Sequence, residues 1–146
     1  MLNEIPFAYT PEQISGFATA NVRGLALSAT NFCRENHFST EDFWCFMGCQ
    51  FADKWDWVKS TDDLMFGILG NVLSMGFELL SVSGNGYEYT AEVTGWPSDE
   101  EVDYFELARV DTDDMWKIFL PITDRLAHDF SWQRDGEKVT FTLTRR

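Results

Sequence analysis

The spacing of the hydrophobic residues first changes at Gly76, and this change limits the accessible folds more than any other feature. Before Gly76, apolar residues recur every three or four positions, as in helices that bury one side. After it, Val139, Phe141 and Leu143 alternate with threonines, as in a strand with one buried face. A length of 146 residues fits one domain. We therefore predict a single α+β domain over residues 1–146, with a helical part at 1–76 and a hairpin–helix–hairpin part at 77–146.

Three helices are predicted in the helical part, at about 11–36, 41–58 and 61–75. Thr10-Pro11-Glu12-Gln13 has the form of a capping box with proline at the first helical position, and Gly76 is a typical C-terminal glycine. The first helix carries one apolar stripe, which consists of Ile14, Phe17, Ala18, Val22, Leu25, Ala29 and Phe32.

Two hairpins are predicted in the second part. Strands at about 77–83 and 87–94 flank Gly84-Asn85-Gly86, and strands at about 130–134 and 138–145 flank Asp135-Gly136. Between them we expect a short acidic helix to about residue 108 and a helix to about residue 126, which Pro121 should kink or divide. The expected architecture is one antiparallel sheet of about four strands, with helices on one face.

The acidic composition argues against several classes of function. A net charge of −13 repels the phosphates of nucleic acids and anionic membrane surfaces, so we expect neither as a direct partner. No stretch approaches the roughly 20 apolar residues of a membrane span, and the first nine residues lack the basic residue of a secretory signal. The three cysteines are an odd number and lie within 17 residues, a poor disulfide framework. We therefore expect a cytoplasmic protein.

The pairs Cys33–His37 and Cys45–Cys49 are each four residues apart, near a predicted turn between two helices. Residues at this spacing share a helical face, so a fold at the turn could bring the four side chains together as ligands for tetrahedral zinc. The alternative is that the cysteines are small buried hydrophobic residues and His37 is a turn residue. We expect no organic cofactor, and zinc remains the one candidate metal.

His128 and Asp124 are the best candidates for proton transfer, since the chain has only two histidines. At i and i+4 on a helix, a carboxylate can orient an imidazole for general base catalysis. The alternative is an exposed ion pair at a helix end. The nucleophile elbow, the Walker loop, the zincin motif and the dinucleotide fingerprint are all missing from the sequence.

The second helix is rich in aromatic residues on more than one side, and the whole chain has 16% aromatic residues. Such a helix is central in the core or borders a ligand or partner. We predict a binding domain for a small apolar or aromatic molecule, assembled as a homodimer. The predicted ligand-binding residues are Trp44, Phe51, Trp55, Trp96 and Trp116.

Three motifs mark the last ninety residues: Met75-Gly76-Phe77-Glu78, Gly95-Trp96-Pro97 and the closing hairpin from Trp132 to Leu143. In this order they resemble small-ligand domains of the 4-vinyl-reductase type, a group that includes the L-2-amino-thiazoline-4-carboxylate hydrolase-like family. It implies a sensor or a binding site for a hydrophobic ligand. That group typically has Cys-Pro where this chain has Trp96-Pro97, so no catalytic residue is transferred.

Two other functions remain open from the sequence. One is a small cofactor-independent enzyme, a hydrolase or isomerase that uses acid–base chemistry in an aromatic pocket. The other is an acidic interaction protein, such as an inhibitor that mimics nucleic acid. It draws on the segment 99–114, which holds eight acidic residues and one arginine and could dock a basic partner.

Overall fold

The computed structural model describes residues 8–146, and its first part is helical. Helix α1 spans Pro11–Glu35, α2 spans Thr40–Phe51 and continues as a 3-10 turn at Ala52–Trp55, and α3 spans Thr61–Ser74. The capping box is confirmed, because Thr10 Oγ1 accepts a hydrogen bond from the amide of Gln13 while the Gln13 side chain accepts one from the amide of Thr10. Within residues 8–146, no helix has the length and apolar character needed to span a bilayer.

The second part forms the expected sheet. Its strands are β1 (Glu78–Gly84), β2 (Glu88–Thr94), β3 (His128–Asp135) and β4 (Lys138–Arg145). They pair antiparallel in the order β1-β2-β4-β3. This arrangement confirms the predicted α+β class and the two hairpins, which lie side by side because β2 pairs with β4.

One face of the sheet packs against the helices, and the other is polar. Ala91 and Val93 on β2 and Phe141 and Leu143 on β4 are fully buried, whereas the threonines that alternate with them are partly exposed. Ala91 lies opposite Phe141 in the ladder, so the two central strands share one apolar surface. The hydrophobic core therefore sits between this surface and the helical layer.

Within residues 8–146, strand β1 lies at an edge of the sheet and pairs only with β2. The ladder is irregular between Leu79 and Ser81, where an extra residue, Leu80, forms a bulge. All seven residues of the strand are exposed, including Leu79, Leu80 and Val82. The helical layer therefore does not extend over β1.

The segment between the hairpins is divided further than the sequence predicts. It consists of α4 (Asp99–Phe105), α5 (Arg109–Thr112), a 3-10 segment at Asp113–Phe119 and α6 (Leu120–Arg125). Helix α6 begins beside Pro121, as expected of a proline that kinks or divides a helix, whereas the 3-10 segment was not predicted. Both oxygens of the Asp113 carboxylate accept hydrogen bonds at the start of this segment. Arg134 of β3 donates hydrogen bonds of 2.8 and 2.9 Å from Nε to both oxygens, and Trp116 Nε1 donates one of 2.9 Å. This buried ion pair fixes the 3-10 segment to the sheet.

The apolar stripe predicted on α1 forms a helical face, but that face does not join the core. The helix instead buries Ala26, Leu27, Thr30 and Cys33, which lie roughly a third of a turn away from the stripe. Most of the stripe, including Leu25, is exposed. The helix thus has two apolar sides, one against its own domain and one open.

The second helix also differs from its prediction, because the α-helix ends at Phe51 rather than near residue 58. A 3-10 turn follows and brings Trp55 back into the core, where its ring stacks on that of Trp57 with 6.0 Å between centroids. Trp44, Phe51 and Trp55 therefore do not share one environment, since Phe51 is exposed while the two tryptophans are buried.

Candidate functional site

A pocket of about 580 Å³ lies between α1, α2, α3 and the 3-10 segment, and is called the main pocket below. Its lining is apolar apart from Asn71 and Ser74, and includes three methionines. The residues that line it are Val22, Leu25, Ala26, Ala29, Phe43, Trp44, Met47, Trp55, Asn71, Val72, Ser74, Met75, Met115, Trp116, Ile118, Phe119 and Ile122.

Aromatic rings form much of the wall of the main pocket. Phe43 meets Trp44 edge to face at 4.9 Å between centroids, and Trp55 meets Phe119 edge to face at 6.3 Å. The indole Nε1 of Trp44 is buried and has no hydrogen-bond partner among residues 8–146. Such a wall suits a flat or apolar molecule.

Two glycines allow the elements around the main pocket to approach closely. A Cβ at Gly48 of α2 would lie 2.2 Å from the backbone oxygen of Ile118, so only glycine permits α2 to pack on the 3-10 segment here. A Cβ at Gly67 of α3 would lie 2.5 Å from the Trp55 ring. The position of the aromatic wall therefore depends on small residues as much as on large ones.

The exposed lining residues of the main pocket lie on α1 and α3, and its mouth is therefore between these helices. Leu25 is 70% and Val22 is 43% exposed on α1, and Asn71 and Ser74 are exposed on α3. The polar residues of the lining are mostly occupied, since Asn71 Nδ2 donates to the Gly67 carbonyl at 2.8 Å and Ser74 Oγ donates to the Asn71 carbonyl at 2.6 Å. Among the residues of the described chain, the lining has no charged side chain. A bound molecule would therefore meet neither a cation nor a carboxylate.

A second hollow of about 690 Å³, called the side pocket, lies between the end of α1 and the start of α2. It shares Leu25, Ala29 and Phe43 with the main pocket. Its outer wall includes Phe32 and Phe38, whose rings are 6.0 Å apart. The two pockets therefore adjoin beside α1, and the lining of the side pocket also includes the carboxylate of Asp42.

Three of the five predicted ligand-binding residues, Trp44, Trp55 and Trp116, line the main pocket. The other two do not: Phe51 is exposed, and Trp96 is buried in the core against Phe77 and Trp116. The α1 residues and the methionines of the lining are not among the predicted ligand-binding residues. A stripe at helical spacing shows that a helix has an apolar side, but it does not show what lies beside that side. Met47 and Met115 each stand next to an aromatic residue in the sequence, and this is the signal that could have indicated an adaptable apolar surface.

The structure separates His128 from Asp124. Helix α6 ends at Arg125, Ala127 adopts a left-handed conformation with φ of 59°, and His128 begins β3, so the expected shared helical face is not formed. The carboxylate of Asp124 instead pairs with Arg146, with 2.8 Å between Oδ1 and Nη2. The proton-transfer role of these two residues stays a prediction without a common site.

His128 is buried and bonded through both ring nitrogens. Nδ1 lies 2.7 Å from the Leu126 carbonyl, which can only accept, so Nδ1 carries the proton. Nε2 lies 3.0 Å from Thr61 Oγ1 and therefore accepts the hydroxyl proton in the neutral ring. The imidazole joins the start of α3 to the start of β3, which is a structural contact.

The four predicted zinc ligands do not converge. Cys33 is buried on α1, His37 lies in an exposed turn with φ of 58°, and Cys49 is exposed on α2. Residues 8–146 hold no group of three or more histidine, cysteine or acidic side chains arranged to bind a metal ion. Burial, together with the nearby carboxylate of Glu41, raises the pKa of the Cys45 thiol above its usual value.

The comparisons with known proteins add no family to these observations. A scan of the sequence against protein-family models finds no match, and a search of curated proteins finds none either. The function is therefore inferred from the geometry of the pockets.

Proposed function

We propose that this protein binds a small, neutral, apolar or aromatic molecule in the main pocket. The observation that carries the proposal is the 580 Å³ volume of this pocket together with its ring-lined, uncharged wall. Ligand pockets for small molecules typically measure about 300–1,000 Å³ and are lined by hydrophobic and aromatic side chains. The resemblance to small-ligand domains of the 4-vinyl-reductase type points to the same role.

A neutral ligand fits both the lining and the charge of the whole protein. A ligand with a carboxylate or phosphate is disfavoured, because the pocket lining has no basic side chain and the whole chain has a net charge of −13. A cation would lose its hydration without gaining a carboxylate in the lining. Methionines 47, 75 and 115 let the wall adapt to ligands of different shape, which suits a sensor.

The proposal can be tested with the neutral fluorescent probe N-phenyl-1-naphthylamine. We expect the probe to brighten on binding and to quench tryptophan emission, because Trp44, Trp55 and Trp116 line the pocket. Met47→Trp would fill the pocket from α2 and should weaken probe binding by at least about tenfold.

Phe51→Trp is the matched control, since Phe51 lies on the same helix and is exposed outside the main pocket. It should bind the probe as the original protein does. The proposal fails if the original protein does not bind the probe, or if Met47→Trp and Phe51→Trp bind it equally well while both retain their circular dichroism spectra.

A further inference from the structure

An open apolar surface of the described chain runs along α1 and onto α2, and is called the α1 face below. Each of its side chains is between 43% and 70% exposed. Its members are Ile14, Phe17, Val22, Leu25, Phe32, Phe38 and Phe46. An exposed stripe along a 25-residue helix is unusual for a protein that functions as a monomer.

The α1 face is also free of exposed charge over most of its length. Between residues 13 and 33 the only charged residue is Arg23, and it lies on another side of the helix. Its guanidinium pairs with Glu101 and donates to the carbonyls of Met75 and Gly95 at 3.1 and 3.2 Å. In a chain of net charge −13, two copies repel each other, so self-association requires a surface of this kind.

The area of the α1 face matches that of a dimer interface. Seven large side chains that each expose about 100 Å² give roughly 700 Å² of apolar surface. The five on α1 itself contribute about 500 Å², and Phe38 and Phe46 extend the surface beyond the paired helices. This is more than the roughly 300–600 Å² of the largest patch on a typical monomer, and is close to the roughly 800 Å² that each partner buries in a stable complex.

A two-fold axis at the middle of α1 would make this face self-complementary. An antiparallel pairing centred at residue 23, the midpoint of Pro11–Glu35, would place Phe17 of one copy opposite the small Ala29 of the other. In the same pairing, Ile14 and Phe32 would pack against each other as two large side chains. Ala29 lines both pockets, so Phe17 of the second copy would lie where the two pockets adjoin.

We propose that the protein is a homodimer in which α1 pairs with α1 of a second copy, and that the second copy closes the mouth of the main pocket. The pocket-closing part rests on the proposed function, whereas the dimer stands without it. Leu25 and Val22, which are exposed at the mouth of the single chain, become buried on pairing. Each binding site is therefore complete only in the dimer.

The test compares oligomeric state and probe binding in three proteins. Sedimentation equilibrium should give twice the 16.8 kDa of one chain for the original protein. Phe17→Glu should weaken dimerisation by at least about 100-fold, because each dimer contains two copies of the change. Phe17→Ser, which adds no charge, should act in the same direction. Phe66→Glu is the control, since Phe66 is 76% exposed on α3 away from the α1 face.

Each outcome decides one part of the proposal. A monomeric original protein overturns the dimer, and so does a dimer that Phe66→Glu breaks and Phe17→Glu leaves intact. If Phe17→Glu gives monomers that bind N-phenyl-1-naphthylamine with unchanged affinity, the pocket-closing part is wrong. A dimer that binds no probe overturns the proposed function only. Salt should strengthen the dimer, because screening reduces repulsion between two acidic chains.

Discussion

At the scale of single residues, two buried tryptophans differ in one hydrogen bond. Trp96 and Trp116 are both 1% exposed and their rings lie 6.4 Å apart, but only Trp116 Nε1 has an acceptor, the carboxylate of Asp113. Trp96 Nε1 has none among residues 8–146. The same substitution at both sites removes a similar volume, so the difference in unfolding free energy reports the hydrogen bond.

We expect Trp116→Phe to destabilise the protein by about 1–3 kcal/mol more than Trp96→Phe, since a bond to a charged group is lost and the buried Asp113–Arg134 pair is left less satisfied. Urea unfolding of the two variants measures this difference. Equal losses of stability would show that the indole of Trp116 acts through packing alone.

The three cysteines should react in the order of their exposure. Cys49 is exposed, Cys45 is partly buried with a raised pKa, and Cys33 is buried. Because the thiolate is the nucleophile, a raised pKa lowers the reactive fraction of Cys45 at pH 8. Iodoacetamide labelling followed by mass spectrometry should therefore modify Cys49 first and Cys33 last. Labelling of Cys45 before Cys49 would contradict this order.

At the scale of elements, the contact between α2 and the 3-10 segment sets the shape of the main pocket. Gly48→Ala places a Cβ against the Ile118 backbone, so α2 must move away from one wall. We expect a loss of about 1–3 kcal/mol of stability together with weaker binding of N-phenyl-1-naphthylamine. Denaturant unfolding and a fluorescence titration measure the two effects.

Gly70→Ala is the opposite control, because Gly70 is exposed in α3 and a Cβ there meets nothing within 4 Å. Its effect should be a gain of up to about 1 kcal/mol from helix propensity, with unchanged probe binding. If Gly48→Ala behaves like Gly70→Ala, the close approach of α2 does not shape the pocket.

Helix starts, the two hairpins and the buried face of β4 could be predicted because local signals determine them. Thr10, Ser39 and Ser60 each cap a helix through a hydrogen bond to a nearby amide. The 3-10 winding at Asp113–Phe119 could not be predicted, since it depends on Arg134, 21 residues away. The lining of the pocket could be predicted only in part. Residue type alone indicates Trp44 and Trp55, whereas the contribution of α1 depends on how this helix lies across α2.

At the scale of the whole molecule, Arg23 and Glu101 link α1 to α4. Burial alone would raise the pKa of Glu101, but hydrogen bonds from Arg23 and Ser98 hold it below its usual value. A carboxyl group with a lowered pKa stabilises the fold at pH values above its unfolded pKa of about 4.3, and this contribution is lost as the pH falls below that value. The loss of stability at acid pH therefore includes the loss of this contact.

Glu101→Gln should lower stability at pH 7, and the difference from the original protein should shrink as the pH falls from about 4.5 to 3. Thermal unfolding across this range measures the difference. Glu100 is one residue away and exposed, so the stability of Glu100→Gln should vary with pH in the same way as that of the original protein. A gap for Glu101→Gln that stays constant with pH would show that the charge of Glu101 does not stabilise the fold.

The bulge at Leu80 has a consequence for solubility at high concentration. An exposed edge strand with leucine and valine side chains is a template on which further chains can add and grow into fibrils, and the extra residue interrupts the regular row of amide and carbonyl groups that such growth requires. Deleting Leu80 would restore an unbroken row. The protein without Leu80 would fold as before but would aggregate more readily through the exposed edge of β1.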